Sequence, residues 1–544
     1  MKRWLALAVV VALCAATAGG CSKASEPAAA AKEIRIGRPY DITTLDPAKA
    51  SDDGSYDIVR MIGEGLVRNV GGEILPGIAE RWEVSSDGLQ YTFHLRKTTW
   101  SDGTPLTAKD FEYSFLRLIS PDKAFDNAAN GYILKNAKKY AARECQASEV
   151  GVKALDDRTL QIQLETPSLE TLSQLAHWSF FPVNKAAVEK AGDAYGSEAA
   201  TVFTNGPFNI TEWVHESRIV LQKNPKYWNA SAIKLAKITG LVGATGETAV
   251  DMMLAGQLDF CETNDFAQMT RLKNAGFTVT PYSSGYQFVH FNSKGATRES
   301  GRFMQNANFR KALNLAVSRK AIVTSVFTGA EAATRITAPD VLGVKDLFSK
   351  EYPFQGWPAE GDPVKAKEYL QLALKELNAT INDVPTLSML CFESQRSMTV
   401  LQAVQDMILN TLGIKCKIDP QPIQQMIAKA YAGDWDMWWG GKTPGSLDWG
   451  SSDGWAADYD YTAGGKYIYG WQNDDYAALV KKLKNAKDMK ERKDTLFEME
   501  KVLCNDPPFI LVGWVQNYAC SRKDLVGINV LGKYANLIYA DIKK

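Results

Sequence analysis

Ala79-Glu80-Arg81-Trp82-Glu83, Asp87-Gly88, Tyr91-Thr92-Phe93-His94-Leu95-Arg96 and Trp100-Ser101-Asp102-Gly103-Thr104-Pro105-Leu106-Thr107-Ala108-Lys109-Asp110-Phe111 follow one another within a few dozen residues. Tyr91, Phe93 and Leu95 alternate with Thr92, His94 and Arg96, the period of a strand buried on one face. Ser101-Asp102-Gly103-Thr104 is turn chemistry, and Thr107 is placed to cap a helix over 108–118. Trp82, Phe93 and Trp100 are predicted to be core aromatics of a β-rich region. The stretch therefore reads as scaffold, with its chemistry elsewhere.

Outward from it, Glu33 to Arg38 alternates as a strand and leads into Thr44-Leu45-Asp46-Pro47. Residues 152–164 read as a hairpin turning at Asp156-Asp157. Residues 219–222 read as a short strand, with Ile219 and Leu221 on one face and Val220 on the other. Beyond about residue 300 the pattern becomes α/β. Helices are predicted over 309–327 and 363–377, followed by strand 387–390, helix 394–412 and strand 414–418. A charged helical region spans 474–504, broken near Asp488, and a strand covers 510–514. β-rich and α/β regions without a long disordered linker predict lobes that the chain crosses more than once.

These motifs resemble the family-5 bacterial solute-binding proteins, which include oligopeptide-, dipeptide- and nickel-binding subunits of ATP-driven importers. The stretch quoted first carries most of the family signature in order. Leu45-Asp46-Pro47, Glu64-Gly65-Leu66, Thr204-Asn205-Gly206-Pro207-Phe208, Asn224-Pro225-Lys226-Tyr227-Trp228, Ala255-Gly256-Gln257-Leu258-Asp259 and Phe309-Arg310-Lys311-Ala312-Leu313 extend it. The resemblance implies an α/β fold: a two-lobed periplasmic-binding-protein clamp (type II, cluster C) with an additional β-rich domain. Lobe I would comprise 33–73, 201–292 and 515–544, the additional domain 74–200, and lobe II 293–514. Connecting segments near 286–292 and 510–516 would form the hinge of a clamp that closes on its ligand.

By the same resemblance the ligand, a peptide or another small solute, would sit between lobes I and II. Ser51, Asp52, Asp53, Gly54, Tyr286 and Phe288 would line one wall, extended by Tyr132 and Asn205. Trp438, Trp439, Gly440, Gly441 and Lys442 would form the other. Glycines admit a peptide backbone and aromatic faces accept varied side chains. Peptide-binding members commonly carry an Asp a few residues after this glycine, paired with the peptide's α-ammonium. Here Gly445 stands at that position, so Asp448, Asp52 or Asp53 would have to neutralise an amine. Ile423 replaces a second family aromatic. A nickel chelate, haem or oligosaccharide is the alternative ligand, and a surface adhesin or receptor the alternative role.

The N-terminus sets the compartment. Lys2 and Arg3 precede an apolar run of about fifteen residues, too short to span a bilayer comfortably but suited to a secretory signal. Small residues follow and then Cys21, an arrangement that resembles the lipobox of bacterial lipoproteins. Residues 1–20 would be removed, Cys21 acylated, and 21–32 left as a tether. The expected location is the bacterial cell envelope, facing periplasm or exterior, with permease subunits as partners and a monomeric body.

Charge excludes other classes. With 62 Lys and Arg against 62 Asp and Glu, no basic excess points to nucleic acid. Gly441-Lys442-Thr443 lacks the glycine a phosphate loop needs, since Asp436 stands five residues before Gly441. Ser120-Pro121-Asp122-Lys123 has the spacing of a penicillin-binding serine but none of its partner motifs. His94, His177, His215 and His290 are too scattered for a local metal site. No enzyme and no cofactor is implied. Six cysteines follow Cys21, and Cys391 and Cys416, on adjacent predicted strands, are read as isolated buried thiols rather than a pair.

Overall fold

A computed structural model describes residues 32–70, 73–123, 125–294, 298–327, 331–339, 341–442, 456, 459, 469–530 and 535–543, with only the backbone of 283, 284, 442, 515 and 516. In chain order, the strands that matter are β1 (Glu33–Arg38), β2 (Ala79–Val84), β3 (Gln90–Leu95), β4 (Val152–Ala154) and β5 (Thr159–Gln163). They continue with β6 (Phe208–Val214), β7 (Arg218–Lys223), β8 (Lys237–Val242), β9 (Phe260–Thr263) and β10 (Thr278–Phe291). β11 (Leu387–Phe392), β12 (Cys416–Gln421), β13 (Met437–Lys442) and β14 (Phe509–Ser521) complete the set.

A ten-stranded mixed sheet, ordered β6-β7-β8-β1-β9-β14-β10-β13-β11-β12, runs through the molecule. The long strands β10 and β14 pair antiparallel from Thr278 opposite Ser521 to His290 opposite Phe509. Their register shifts twice, between Ser283 and Gly285 and between Gln287 and Phe288. The segments 286–292 and 510–516 thus run side by side. Past the first shift both strands are buried on both faces, as near-continuous apolar runs require. Val289, Phe291, Ile510 and Val512 enter one apolar cluster, and Tyr286, Phe288, Leu511 and Trp514 the cluster on the other side.

The stretch that opened the sequence reading forms a second sheet, β2-β3-β5-β4, antiparallel throughout. Tyr91, Phe93 and Leu95 are buried, while Thr92 and His94 on the other face are half-buried. Phe93 and Trp100 share a core with Phe111 and Phe115, and Trp82 packs against its margin. The helix Ala108–Leu118 starts at Thr107, whose backbone N–H donates to the Asp110 carboxylate at 2.7 Å. A further apolar cluster, with Ile34, Phe208, Leu221 and Phe260, lies against the β6–β9 half of the large sheet.

Two expectations are corrected. The helix predicted over 309–327 is two, Ala307–Leu315 and Arg319–Ser325, because the Ser318 hydroxyl accepts from the Ala321 N–H at 3.1 Å and starts a new helix. The strand predicted over 510–514 continues to Ser521, its polar Gln516-Asn517 step being held in the ladder by β10. The break near Asp488 is present: Asp488 caps the helix Met489–Asn505 by accepting from Glu491 N–H at 2.8 Å. β11 and β12 are neighbours and parallel, yet Cys416 faces Leu387 and Cys391 faces Pro420, so those two thiols do not meet.

Candidate functional site

Loop 51–54 leads from the β1 end of the large sheet into the helix Asp53–Ile62. Ser51 is exposed. Asp52 is the helix N-cap: its carboxylate accepts from Ser55 N–H at 2.7 Å and from Ser55 Oγ at 2.6 Å, and Thr43 donates to it as well. Asp53 accepts from the Tyr56 hydroxyl at 2.9 Å. Gly54 is buried, and its carbonyl accepts from Arg38 at 2.8 Å. A methyl group at Gly54 would lie 3.1 Å from the Tyr40 ring and 3.2 Å from Arg38, so glycine is what lets the loop lie flat on them.

Behind this loop lies a group of acids that sequence reading missed. Asp57 projects from the same helix toward Glu262 of β9, with Arg38, Arg60 and Asp53 around it. Burial lifts the Asp57 carboxyl to about 7, offset by Arg38 and reinforced by Glu262. Glu262, which is exposed, accepts from the Tyr282 hydroxyl and from Ala535 N–H. Asp57 stands one helical turn from Asp53, and that i, i+4 spacing is the only trace the sequence carries. A carboxyl whose folded pKa is raised binds its proton more tightly when folded. Its contribution to stability is therefore fully present below about pH 4 and lost as pH rises toward 7. Asp57→Asn is accordingly expected to gain stability relative to the parent between pH 5 and pH 8. A stability difference flat across that range, in parallel urea titrations, would count against this account.

The second wall is β13. It pairs antiparallel with β10 along its whole length, from Tyr286 opposite Lys442 to Phe291 opposite Met437. On its other side it pairs with β11 only at Met437 and Trp438. From Trp439 to Lys442 that edge has no ladder partner among the described residues, and Gly440 and Gly441 sit within it. Side chains alternate along β13. Trp439 points into the core formed by β10, β11 and their helices, near Phe327. Trp438 points the other way, against Trp435 and Tyr469. Its indole N–H is buried and has no acceptor among the described residues. A methyl group at Gly440 would touch only the Trp438 ring, at 3.8 Å.

Several expected site residues have other work. Tyr286 and Phe288 are 4% and 2% exposed, their rings 5.6 Å apart in the core. Their backbone faces β13, but their side chains are spent on packing. Asn205 is buried and exchanges two hydrogen bonds with the Glu64 backbone, at 3.0 and 2.8 Å. Tyr132 packs on the core of the four-stranded sheet's domain. Trp439 is core. Asp448, Gly445 and Cys21 lie outside the described residues, as does the side chain of Lys442. Among the described residues no cluster of His, Cys, Asp and Glu could hold a metal, and no helix is long and apolar enough to cross a membrane.

Comparison with known proteins agrees with this architecture. Residues 73–459 match the profile of bacterial extracellular solute-binding proteins, family 5 Middle. The chain is 28% identical to the oligopeptide-binding protein of Bacillus subtilis strain 168, over 95% of this chain and 96% of that one. It is 30% identical to the periplasmic oligopeptide-binding protein of Salmonella typhimurium, over 84% and 81%. The unliganded open form of a periplasmic murein tripeptide binding protein superposes with a TM-score of 0.77 at 24% identity, covering 94% and 98% of the two chains, and so shares the fold. The family match covers the stretch quoted first, the four-stranded sheet and most of the large one, and on that ground the chain belongs to the family-5 bacterial extracellular solute-binding proteins.

Proposed function

We propose that the chain is the extracytoplasmic, lipid-anchored substrate-binding subunit of an ABC importer, and that it captures oligopeptides between two lobes. The observation that carries the peptide reading is the edge of β13 from Trp439 to Lys442, which has no ladder partner among the described residues. Alternate N–H and C=O groups there are offered to a visiting strand, and Gly440 and Gly441 let its backbone come close. Trp438 adds an aromatic face and a buried N–H donor beside that edge.

The family resemblance supports the division into 33–73, 201–292 and 515–544 as lobe I, 293–514 as lobe II, and 74–200 as the added domain. Closure about a hinge is supported by the register shifts of β10 and β14, where the ladder is interrupted between the two halves of the sheet. The relatives' names as oligopeptide-binding proteins support the ligand class. Lipid anchoring rests on Cys21 and the small residues before it.

Mass spectrometry of small molecules released from the denatured, purified protein tests the ligand. Peptides are expected; a sugar, a chelate or a steroid acid in their place would reassign it. The Trp438 donor gives a sharper readout. Trp438→Phe keeps the ring and removes one hydrogen bond, so it should weaken binding of a released peptide about three- to tenfold with the melting temperature little changed. An unchanged Kd by calorimetry would take Trp438 off the ligand.

A further inference from the structure

Cys261 lies on β9 and Cys520 on β14, antiparallel neighbours whose register sets the two residues directly opposite one another. Opposed residues on such strands have Cα atoms about 4.5 or 5.5 Å apart, depending on whether the pair is hydrogen-bonded. Both values fall inside the roughly 4.4–6.8 Å that a disulfide spans. Paired residues also point to the same face of the sheet, and here both side chains enter one apolar cluster with Val250, Met253 and Leu272. Both are free thiols in the structure, and the Cys520 thiol donates to the Tyr518 carbonyl at 3.8 Å. They are 1% and 0% exposed, so no other reagent or partner competes for them in the folded state. No other described cysteines stand opposite one another in a strand pair: Cys391 and Cys416 are four register positions apart, and Cys145 and Cys504 lie outside the strands.

We propose that Cys261 and Cys520 close to a disulfide as the chain folds outside the cytoplasm, fastening β9 to β14. The assignment rests on the export reading above. The step is thiol–disulfide exchange. The Cys261 and Cys520 thiols give up two protons and two electrons, an incoming disulfide is reduced to two thiols, and one Sγ–Sγ bond forms. An oxidoreductase disulfide or oxidised glutathione is a sufficient oxidant. The neighbouring Cys520 thiol, together with burial, holds the Cys261 thiol well above its ordinary pKa, so little thiolate forms once the cluster is shut. Exchange therefore belongs to the folding chain.

The bond would join two distant parts of the sequence, and closing a long loop constrains the unfolded chain most. It would also lock the outer half of β14 to β9. Movement between the two halves of the sheet would then be confined to the register shifts beyond Cys520.

The full chain, made with its own leader, is recovered from the cell envelope, denatured in iodoacetamide and digested without reduction. Linked peptides carrying Cys261 and Cys520 are expected, with the other cysteines of the folded body alkylated. Reduction should lower the melting temperature by several degrees, a drop missing from the Cys261→Ala, Cys520→Ala protein. Alkylation of both residues in envelope-derived protein would overturn the proposal. A second arm separates it from the export reading: the reduced chain is refolded in a mixture of reduced and oxidised glutathione. Loss of those two thiols supports the pairing whatever the compartment, and retention of both sinks it. Recovery of the full chain from the cytoplasmic fraction would fail the export reading and leave the refolding arm to decide.

Discussion

Replacing Asp46 with alanine is expected to destabilise the protein by about 3–5 kcal/mol, because it strands a buried guanidinium. Asp46 is fully buried, and its carboxylate takes both outer nitrogens of Arg117, at 2.9 and 2.5 Å. One oxygen also accepts from Ala48 N–H at 3.1 Å. Arg117, in the helix Ala108–Leu118, has few other outlets: its guanidinium lies over the rings of Phe125 and Tyr195. The pair thus bolts the Leu45-Asp46-Pro47 segment to the domain of the four-stranded sheet. Desolvating both charges consumes most of the attraction between them, so the intact pair adds little net stability. What makes the variant costly is the orphaned cation. Asp46→Leu combined with Arg117→Met should therefore recover most of the loss. Urea denaturation of the single and double variants checks this. A single variant within about 1 kcal/mol of the parent would mean that Arg117 finds water or another acid.

The strands and helices could be read from the chain because their signals are local. The alternation of Tyr91, Phe93 and Leu95, the Thr107 and Asp488 caps and the glycine-rich turns each act within a few residues. Ser318 carried the same kind of signal, but Leu313, Val317 and Ala321 kept the i, i+4 spacing of a helix across it. The β13 wall was legible as Trp438-Trp439-Gly440-Gly441, since aromatic residues beside glycines are uncommon in a plain core strand. Which tryptophan faces outward was not, because that depends on the pairing of β13 with β10. That Asn205, Tyr286 and Phe288 are buried was not legible either, for the same reason. Their partners (the Glu64 backbone and the β14 side chains) lie far away in sequence. The acids at Asp57 and Glu262, and the opposed Cys261 and Cys520, are likewise products of strand order. Only the sheet places residue 260 beside residue 521.

Asp436→Ala should cost a comparable 3–5 kcal/mol and should also weaken ligand binding in whatever protein remains folded. Asp436 is 2% exposed and immediately precedes β13. Its carboxylate accepts from Arg298 Nε at 2.8 Å, from Ser388 N–H at 2.6 Å, from Ser388 Oγ at 2.9 Å and from the Ser300 hydroxyl. Those donors come from the segment after β10 and from the start of β11. One side chain therefore fixes where β13 enters between its two neighbours. Beyond Trp438, among the described residues, β10 alone holds β13 in a ladder, so the position of the Gly440-Gly441 edge depends on that entry point. Asp434 offers a control, because it also pairs with Arg298, at 2.6 Å, but is more than half exposed. Asp434→Ala should cost about 1 kcal/mol or less, as exposed pairs do. Asp436→Asn keeps the shape but sets an amide N–H₂ against donors, so it should resemble alanine more than the parent. Chemical denaturation, with calorimetric titration of a released peptide at a temperature where every variant is folded, separates the two effects. Equal losses for Asp434→Ala and Asp436→Ala would place the work in the charge of Arg298. Unchanged affinity in a folded Asp436 variant would free the β13 edge from its buried anchor.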